Sequence, residues 1–130
     1  TSQPMPTTPG AIVRCVLDSL ALDYKNVLEK LVGISNRPVE LIHIVGGGSQ
    51  NDLLNQLTAN ATGLSVFAGP AEATVLGNAI VQLITLGEIK NLSEARQIVA
   101  KMRGIKRYEP KDSALWDEAY QRFLTLQKQF

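Results

Sequence analysis

Residues 41–51, Leu-Ile-His-Ile-Val-Gly-Gly-Gly-Ser-Gln-Asn, decide how this chain folds. The apolar and β-branched residues at 41–45 predict a strand, and three glycines follow it directly. The polar residues after the glycines open a helical pattern whose apolar side holds Leu53, Leu54 and Leu57. Strand, glycine turn and helix in this order place the turn at the carboxyl end of a strand, where open α/β sheets bind ligands.

The glycine turn has two interpretations. Glycine lacks a Cβ atom, so the backbone can take positive φ and a flat ligand can approach it closely. The first N–H groups of the following helix point back at the same turn. A nucleotide site and a tight turn without a ligand both fit these residues, and the turn alone does not separate them.

A second strand is predicted at 64–68, directly after Gly63, which ends the preceding helix. That helix, at about residues 49–62, is a crossover of the length that a right-handed βαβ unit needs, so we predict parallel strands. A third helix is predicted to start at the Gly-Pro pair and to run to residue 86. Its small residues, Gly77 among them, would let it lie close against another backbone.

The segments on either side predict further helices. Thr8 is expected to cap a long amphipathic helix that has Pro9 at its first position and ends at Gly33. Ser93 is expected to cap a short helix, and an extended segment at about 105–110 and a final helix follow. The predicted architecture is therefore α/β, with short parallel strands packed with several helices.

Length and composition limit the classes of protein. The chain has 130 residues, which predicts a single domain over 1–130 with a loose lead-in at 1–8. Its net charge of +1 and the lack of a long apolar run argue against nucleic acid and membrane partners. Because it does not begin with Met, we expect a processed product or a piece of a longer protein.

Only one cysteine and one histidine are present, which limits the chemistry. Cys15 lies on an apolar helical pattern, so it is expected to be a buried small residue in a reducing, cytoplasmic protein. His43 lies in the middle of a strand and is expected to be structural. Because there is no second histidine and no cysteine cluster, a zinc site is not expected. A single histidine and a single cysteine also supply no Ser-His-Asp or Cys-His catalytic set.

Two phosphate-binding motifs fail on the glycine turn. No Gly-Lys-Ser or Gly-Lys-Thr follows the glycines, so the turn is not a Walker loop. Asn51 stands where the Rossmann fingerprint has its third glycine, although Glu72 lies near the expected position of the ribose-binding acid. A dinucleotide-binding dehydrogenase piece and a binding module without catalysis remain as alternatives.

Three segments in order carry a more specific signal. They are Val-Gly-Gly-Gly-Ser-Gln-Asn at 45–51, Leu-Asn-Gln at 54–56 and Ala-Gly-Pro-Ala-Glu-Ala-Thr-Val-Leu-Gly-Asn-Ala at 68–79. With the stretch at 14–22, they resemble the carboxy-terminal domain of the FGGY family of carbohydrate kinases. The resemblance covers roughly residues 11–99 well and the tail more loosely.

The resemblance implies an ATPase domain of the actin and hexokinase type with a ribonuclease-H-like core, whose ATP lies in a cleft between two domains. It implies that Gly46, Gly47 and Gly48 bind the adenosine half, with Gly47 in contact with ATP. Asn51 is implied to contact the nucleotide from the helix start, and Gly77 to be a close-packing glycine.

The resemblance also implies what this chain lacks. The family's phosphate loop, aspartate base and sugar pocket lie upstream, so no catalytic residue and no metal ligand is expected here. ATP and Mg²⁺ are expected in the intact enzyme, with the sugar contacted mainly by the missing amino-terminal part. The chain alone is expected to be inactive, and its bare apolar faces predict self-association.

Overall fold

The computed structural model describes residues 4–102 and 104–128, and these form a mixed α/β fold. The predicted α/β class is confirmed. The predicted lead-in is described from Pro4 and has no helix or strand up to Thr7, while residues 1–3 lie outside the described part. The elements are α1 Pro9–Ser35, β1 Leu41–Ile44, α2 Asp52–Thr62, β2 Ser65–Ala68, α3 Ala73–Thr85, α4 Leu92–Ala100, β3 Lys106–Tyr108 and α5 Ser113–Gln127, with a 3₁₀ turn Gly47–Gln50 between β1 and α2.

The sheet has the strand order β1-β2-β3. β1 and β2 are parallel, with Leu41 opposite Ser65, as the crossover length predicted. β3 is antiparallel to β2, with Tyr108 opposite Val66. The extended segment predicted at about 105–110 contains β3, but its pairing with β2 was not predicted. Val66, in the central strand, is 0% exposed.

Helix α1 starts as predicted and ends later. Thr8 Oγ1 accepts a hydrogen bond from the N–H of Ala11 at 3.2 Å, so the predicted cap is confirmed. The helix does not end at Gly33 but continues to Ser35, and its C-cap is Asn36, whose φ of 50° is left-handed. Asparagine tolerates this conformation because its short polar side chain bonds locally. Cys15 is exposed on α1, so its predicted burial is wrong.

Helices α1, α2 and α5 enclose the core. Tyr120 of α5 donates a hydrogen bond to Glu29 of α1 at 2.8 Å. Lys25 of α1 pairs with Asp117 of α5 at 2.7 Å. These polar contacts border an apolar interior and fix how α5 lies on α1. The core residues are Ala21, Leu22, Leu57, Ala61 and Tyr120.

Helix α3 begins later than predicted. Pro70 lies in the loop after β2 and not in the first helical turn, since the helix begins at Ala73. Gly77 and Ala79 are exposed, and a Cβ atom on Gly77 would meet nothing within 4 Å. The predicted close packing of Gly77 is therefore not formed within the described residues.

Helix α4 is capped by Asn91 and not by Ser93. Asn91 Oδ1 accepts from the N–H of Glu94 at 3.0 Å, and Glu94 in turn accepts from the N–H of Lys90 at 2.8 Å. Asparagine and serine are both good caps, and the sequence offered both within three positions. Along the described helices, none combines the length and apolar composition that a membrane crossing requires.

Candidate functional site

The glycine turn leaves the end of β1 through a conformation that favours glycine. Gly46 has φ 76° and ψ −163°, a region that residues with a side chain rarely adopt. Its N–H donates to the carbonyl of Pro70 at 3.0 Å. Among the three glycines of the turn, Gly46 alone has a positive φ, although any glycine could adopt one.

Gly47 and Gly48 begin the 3₁₀ turn and are both exposed. A Cβ atom on Gly47 would meet nothing within 4 Å, and one on Gly48 would meet only Ile44 Cγ2 at 3.9 Å. Within the described residues, no backbone carbonyl accepts from the N–H of Gly47 or Gly48. The turn thus presents an open backbone surface with free donors, which a ligand can approach.

The turn is held from beneath by buried polar groups. Ser49 is buried, and its Oγ donates to the carbonyl of Gly46 at 2.7 Å. The N–H of Ser49 donates to the same carbonyl at 3.0 Å. Asn55 Nδ2 on α2 donates to the carbonyl of Ser49 at 2.9 Å. The exposed glycines are therefore bracketed by an internal hydrogen-bond chain that the sequence analysis did not identify.

Asn51 has a structural role at the start of α2. Its Oδ1 accepts from the N–H of Leu54 at 3.0 Å, which makes it the N-cap of the helix. The residue is also exposed next to the glycines. The sequence pattern Asn-x-x-Leu could have indicated the cap, because asparagine is among the best capping residues.

The loop after β2 braces the turn from the side. The N–H of Gly69 donates to the carbonyl of Ile44 at 2.8 Å, and Pro70 accepts from Gly46 as described above. Gly69 has φ 122°, and a Cβ atom there would lie 3.1 Å from the carbonyl oxygen of Gly104. Glu72 is exposed at the N-cap position of α3 and makes no capping bond with its side chain. The carboxyl ends of β1 and β2 thus meet at one edge.

A charged cluster joins the start of α2 to β3. Lys106 Nζ lies 2.7 Å and 3.0 Å from the two carboxylate oxygens of Asp52, and Tyr108 donates to Asp52 Oδ1 at 2.7 Å. Hydrogen bonds from Lys106 and Tyr108 lower the pKa of Asp52. Burial, followed by the bond to Asp52, raises the pKa of Tyr108. This cluster links the first residue of α2 to β3.

Two apolar grooves flank β1. The larger, of about 590 Å³, lies beside α1 and α2 and extends to Gly48. The smaller, of about 440 Å³, lies beside α4 and the Gly69–Pro70 loop. His43 borders both, is exposed, and stacks on Phe67 with ring centroids 5.5 Å apart. This contact is between two aromatic rings. The larger groove is lined by Asp23, Tyr24, Val27, Leu28, Leu31, Ile42, His43, Ile44, Val45, Gly48, Leu54, Asn55 and Thr58.

Metal binding has little support in these residues. Within the residues that the structure describes, no group of three or more histidine, cysteine or acidic side chains could hold a metal ion. Asp52, the acid nearest the turn in sequence, is bonded to Lys106 and Tyr108.

Comparison with known families gives a match to one domain type. The model of the C-terminal domain of the FGGY family of carbohydrate kinases matches residues 1–86. A protein from Bacteroides thetaiotaomicron named rhamnulokinase is 51% identical over 123 residues, which cover 95% of this chain and 25% of that protein. The rhamnulokinase of Bacillus subtilis is 45% identical over 112 residues, covering 86% of this chain and 23% of that protein.

A solved structure gives the same fold. The crystal structure of xylulose kinase from Rhodospirillum rubrum superposes with a TM-score of 0.75 at 22% sequence identity. The match covers 99% of this chain and 26% of that chain. This chain therefore spans about a quarter of the length of the relatives that it matches.

Proposed function

This chain belongs to the FGGY family of carbohydrate kinases, and we propose that it is the nucleotide-binding part of an ATP-dependent kinase for L-rhamnulose. The reaction is transfer of the ATP γ-phosphate to the sugar, which forms L-rhamnulose 1-phosphate. The observation that carries the proposal is the 51% identity to a rhamnulokinase over 95% of this chain. Family membership favours this function over a dehydrogenase piece or a non-catalytic module.

The glycine turn is the proposed site of the adenosine half of ATP. Gly47 and Gly48 offer an exposed backbone with free N–H groups, and Gly46 provides the bend that places them at the strand end. Asn51 is proposed to contact the nucleotide from the helix start while it caps α2. Because glycine has no side chain, a flat ring or a ribose can lie directly on this backbone.

Catalysis is assigned to the rest of a longer enzyme. Phosphoryl transfer needs both substrates, Mg²⁺ and a base to be positioned in one closed cleft. ATP supplies the phosphoryl group when bound, and Mg²⁺ would neutralise its charge. Residues 1–130 are proposed to form the C-terminal portion of the second domain of a cytoplasmic enzyme, with the sugar bound mainly by the remaining part. The isolated chain is therefore expected to bind nucleotide weakly and to catalyse nothing.

Exposed apolar residues support the view that this chain packs against more protein. Among the described elements, α1 carries the most exposed large apolar residues, and α3 adds Val75 and Val81, each 64% exposed. Exposed apolar residues that group into a patch mark interaction sites. We propose that these faces lie against the rest of the enzyme and that they cause self-association in the isolated chain. The α1 residues are Ile12, Val13, Val16, Leu20, Tyr24, Val27, Leu31 and Ile34.

The experiment that tests this function is a coupled ADP-release assay with L-rhamnulose, ATP and Mg²⁺. The full-length enzyme should release ADP only when the sugar is present, and the 130-residue chain should stay at background. L-xylulose and glycerol serve as alternative substrates. Equal turnover on all three would refute the sugar assignment, and clear turnover by the isolated chain would refute the division of roles.

A further inference from the structure

Asn55 is a buried polar residue whose hydrogen bonds are incomplete. It is 0% exposed, and its Nδ2 donates to the carbonyl of Ser49 at 2.9 Å. Its Oδ1 is buried and has no hydrogen-bond partner among the described residues. A buried unpaired oxygen weakens the folded state, and an apolar side chain of similar size would remove that penalty. Core packing alone therefore does not favour asparagine here.

The hydrogen bond that Asn55 does make leads to the glycine turn. Ser49, which accepts it, also donates through both its N–H and its Oγ to the carbonyl of Gly46. The chain of bonds thus runs from Asn55 through Ser49 to Gly46, and it brackets Gly47 and Gly48. These two glycines are exposed, and as glycines they have no side chain that could fix their position.

We propose that Asn55 is a positioning residue for nucleotide binding. It anchors the carbonyl of Ser49 from inside α2, and thereby sets where the backbone of Gly47 and Gly48 meets the nucleotide. Asn55 itself touches no ligand, because it is fully buried. This inference rests on the proposed nucleotide site at the glycine turn and names a residue that acts beneath it.

The test is Asn55→Leu in the full-length kinase, because leucine has a similar size and cannot donate to Ser49. Loss of one anchoring hydrogen bond should raise the KM for ATP by about three- to tenfold. The kcat and the KM for L-rhamnulose should stay within about twofold, since a contact shared by ground state and transition state changes KM and not kcat. The melting temperature should change little, because removal of the unpaired oxygen offsets the loss of the bond to the Ser49 carbonyl.

Thr58→Val is the matched control. Thr58 lies one turn later on α2 and is 1% exposed, and its Oγ1 donates to the carbonyl of Leu54 in its own helix at 2.8 Å. This variant also replaces a buried polar residue of α2 by an apolar one of similar shape. It should leave the KM for ATP unchanged, since Thr58 has no bond to the turn.

The outcomes distinguish the positioning role of Asn55 from the proposed kinase function. A folded Asn55→Leu enzyme with the wild-type KM for ATP would overturn the positioning role, while a wild-type enzyme without ATP-dependent turnover would refute the proposed function itself. If Asn55→Leu does not fold, Asn55→Ser gives the same comparison, because serine is too short to reach Ser49. If neither Asn55 variant folds while Thr58→Val does, Asn55 is needed for folding, and the proposal is overturned.

Discussion

Replacing Gly47 by valine in the full-length kinase tests the nucleotide contact most directly. A Cβ atom at this position meets nothing within 4 Å, and the φ of Gly47 is not positive. The penalty for a left-handed backbone therefore does not apply at Gly47. We expect the free energy of unfolding to change by less than about 1 kcal/mol, since Gly replacements at compatible positions are neutral or stabilising.

The effect on nucleotide binding should be much larger. A valine side chain would occupy the open space over the turn where the proposed adenosine lies. Losing one backbone contact is worth about 0.5–1.5 kcal/mol, and displacement of the ligand adds to it, so we expect the KM for ATP to rise at least about tenfold. The KM for L-rhamnulose should stay within about twofold, because the sugar is bound elsewhere.

Gly46→Val is the matched comparison one residue earlier. Gly46 has φ 76°, so any side chain there should cost about 1–3 kcal/mol of backbone strain. This variant should melt at a lower temperature, whereas Gly47→Val should not. Both are measured by thermal unfolding and by the ADP-release assay with ATP varied at saturating sugar. If the Gly47→Val enzyme is stable and its KM for ATP is unchanged, the glycine turn does not bind the nucleotide.

Four further outcomes can be measured on the same enzyme or on this chain. Asn51→Ala should destabilise α2 by about 1 kcal/mol and raise the KM for ATP about two- to tenfold; Asn51→Asp keeps the cap and so isolates any nucleotide contact of the amide. Asn91→Ala should lower stability by about 1 kcal/mol with unchanged kinetics, and a kinetic effect would contradict our placement of the site. Burial, aided by the bond to Glu29, raises the pKa of Tyr120 to about 12. The folded state therefore holds this proton more tightly than the unfolded chain, and the stability it contributes is complete below about pH 10 and lost as the pH rises through about 12. Tyr120→Phe should flatten that alkaline loss in pH-dependent melts, and an unchanged profile would refute the cause. Light scattering of the isolated chain should show self-association, and a clean monomer at high concentration would count against the exposed apolar faces as interfaces.

The local order of elements could be predicted from the sequence because it depends on neighbours in the chain. Short runs of apolar and β-branched residues predicted β1 and β2, and the glycine after α2 predicted the left-handed end of that helix at Gly63, which has φ 71°. Thr8 and Pro9 predicted the start of α1 for the same reason. The errors at Gly33 and Ser93 arose where a second suitable residue lay within three positions, since local energies of competing caps differ by only a few tenths of a kcal/mol.

The supports of the candidate site depend on distant residues, and no local pattern reveals them. Gly46, Gly47, Gly48 and Asn51 could be selected from the sequence as candidates, although their ligand stays a prediction. Asn55 could not be recognised as buried, nor the loop at Pro70 as a brace.

The sequence by itself determined that a strand, a glycine turn and a helix follow one another, because these preferences act over a few residues. Only the tertiary structure decided which side chains lie beneath the turn and that β3 completes the sheet. Asp52 and Lys106 are 54 positions apart and meet only because β3 pairs with β2. Such contacts form only after distant segments have packed together. Their energy therefore depends on the tertiary structure and not on neighbouring residues in the sequence.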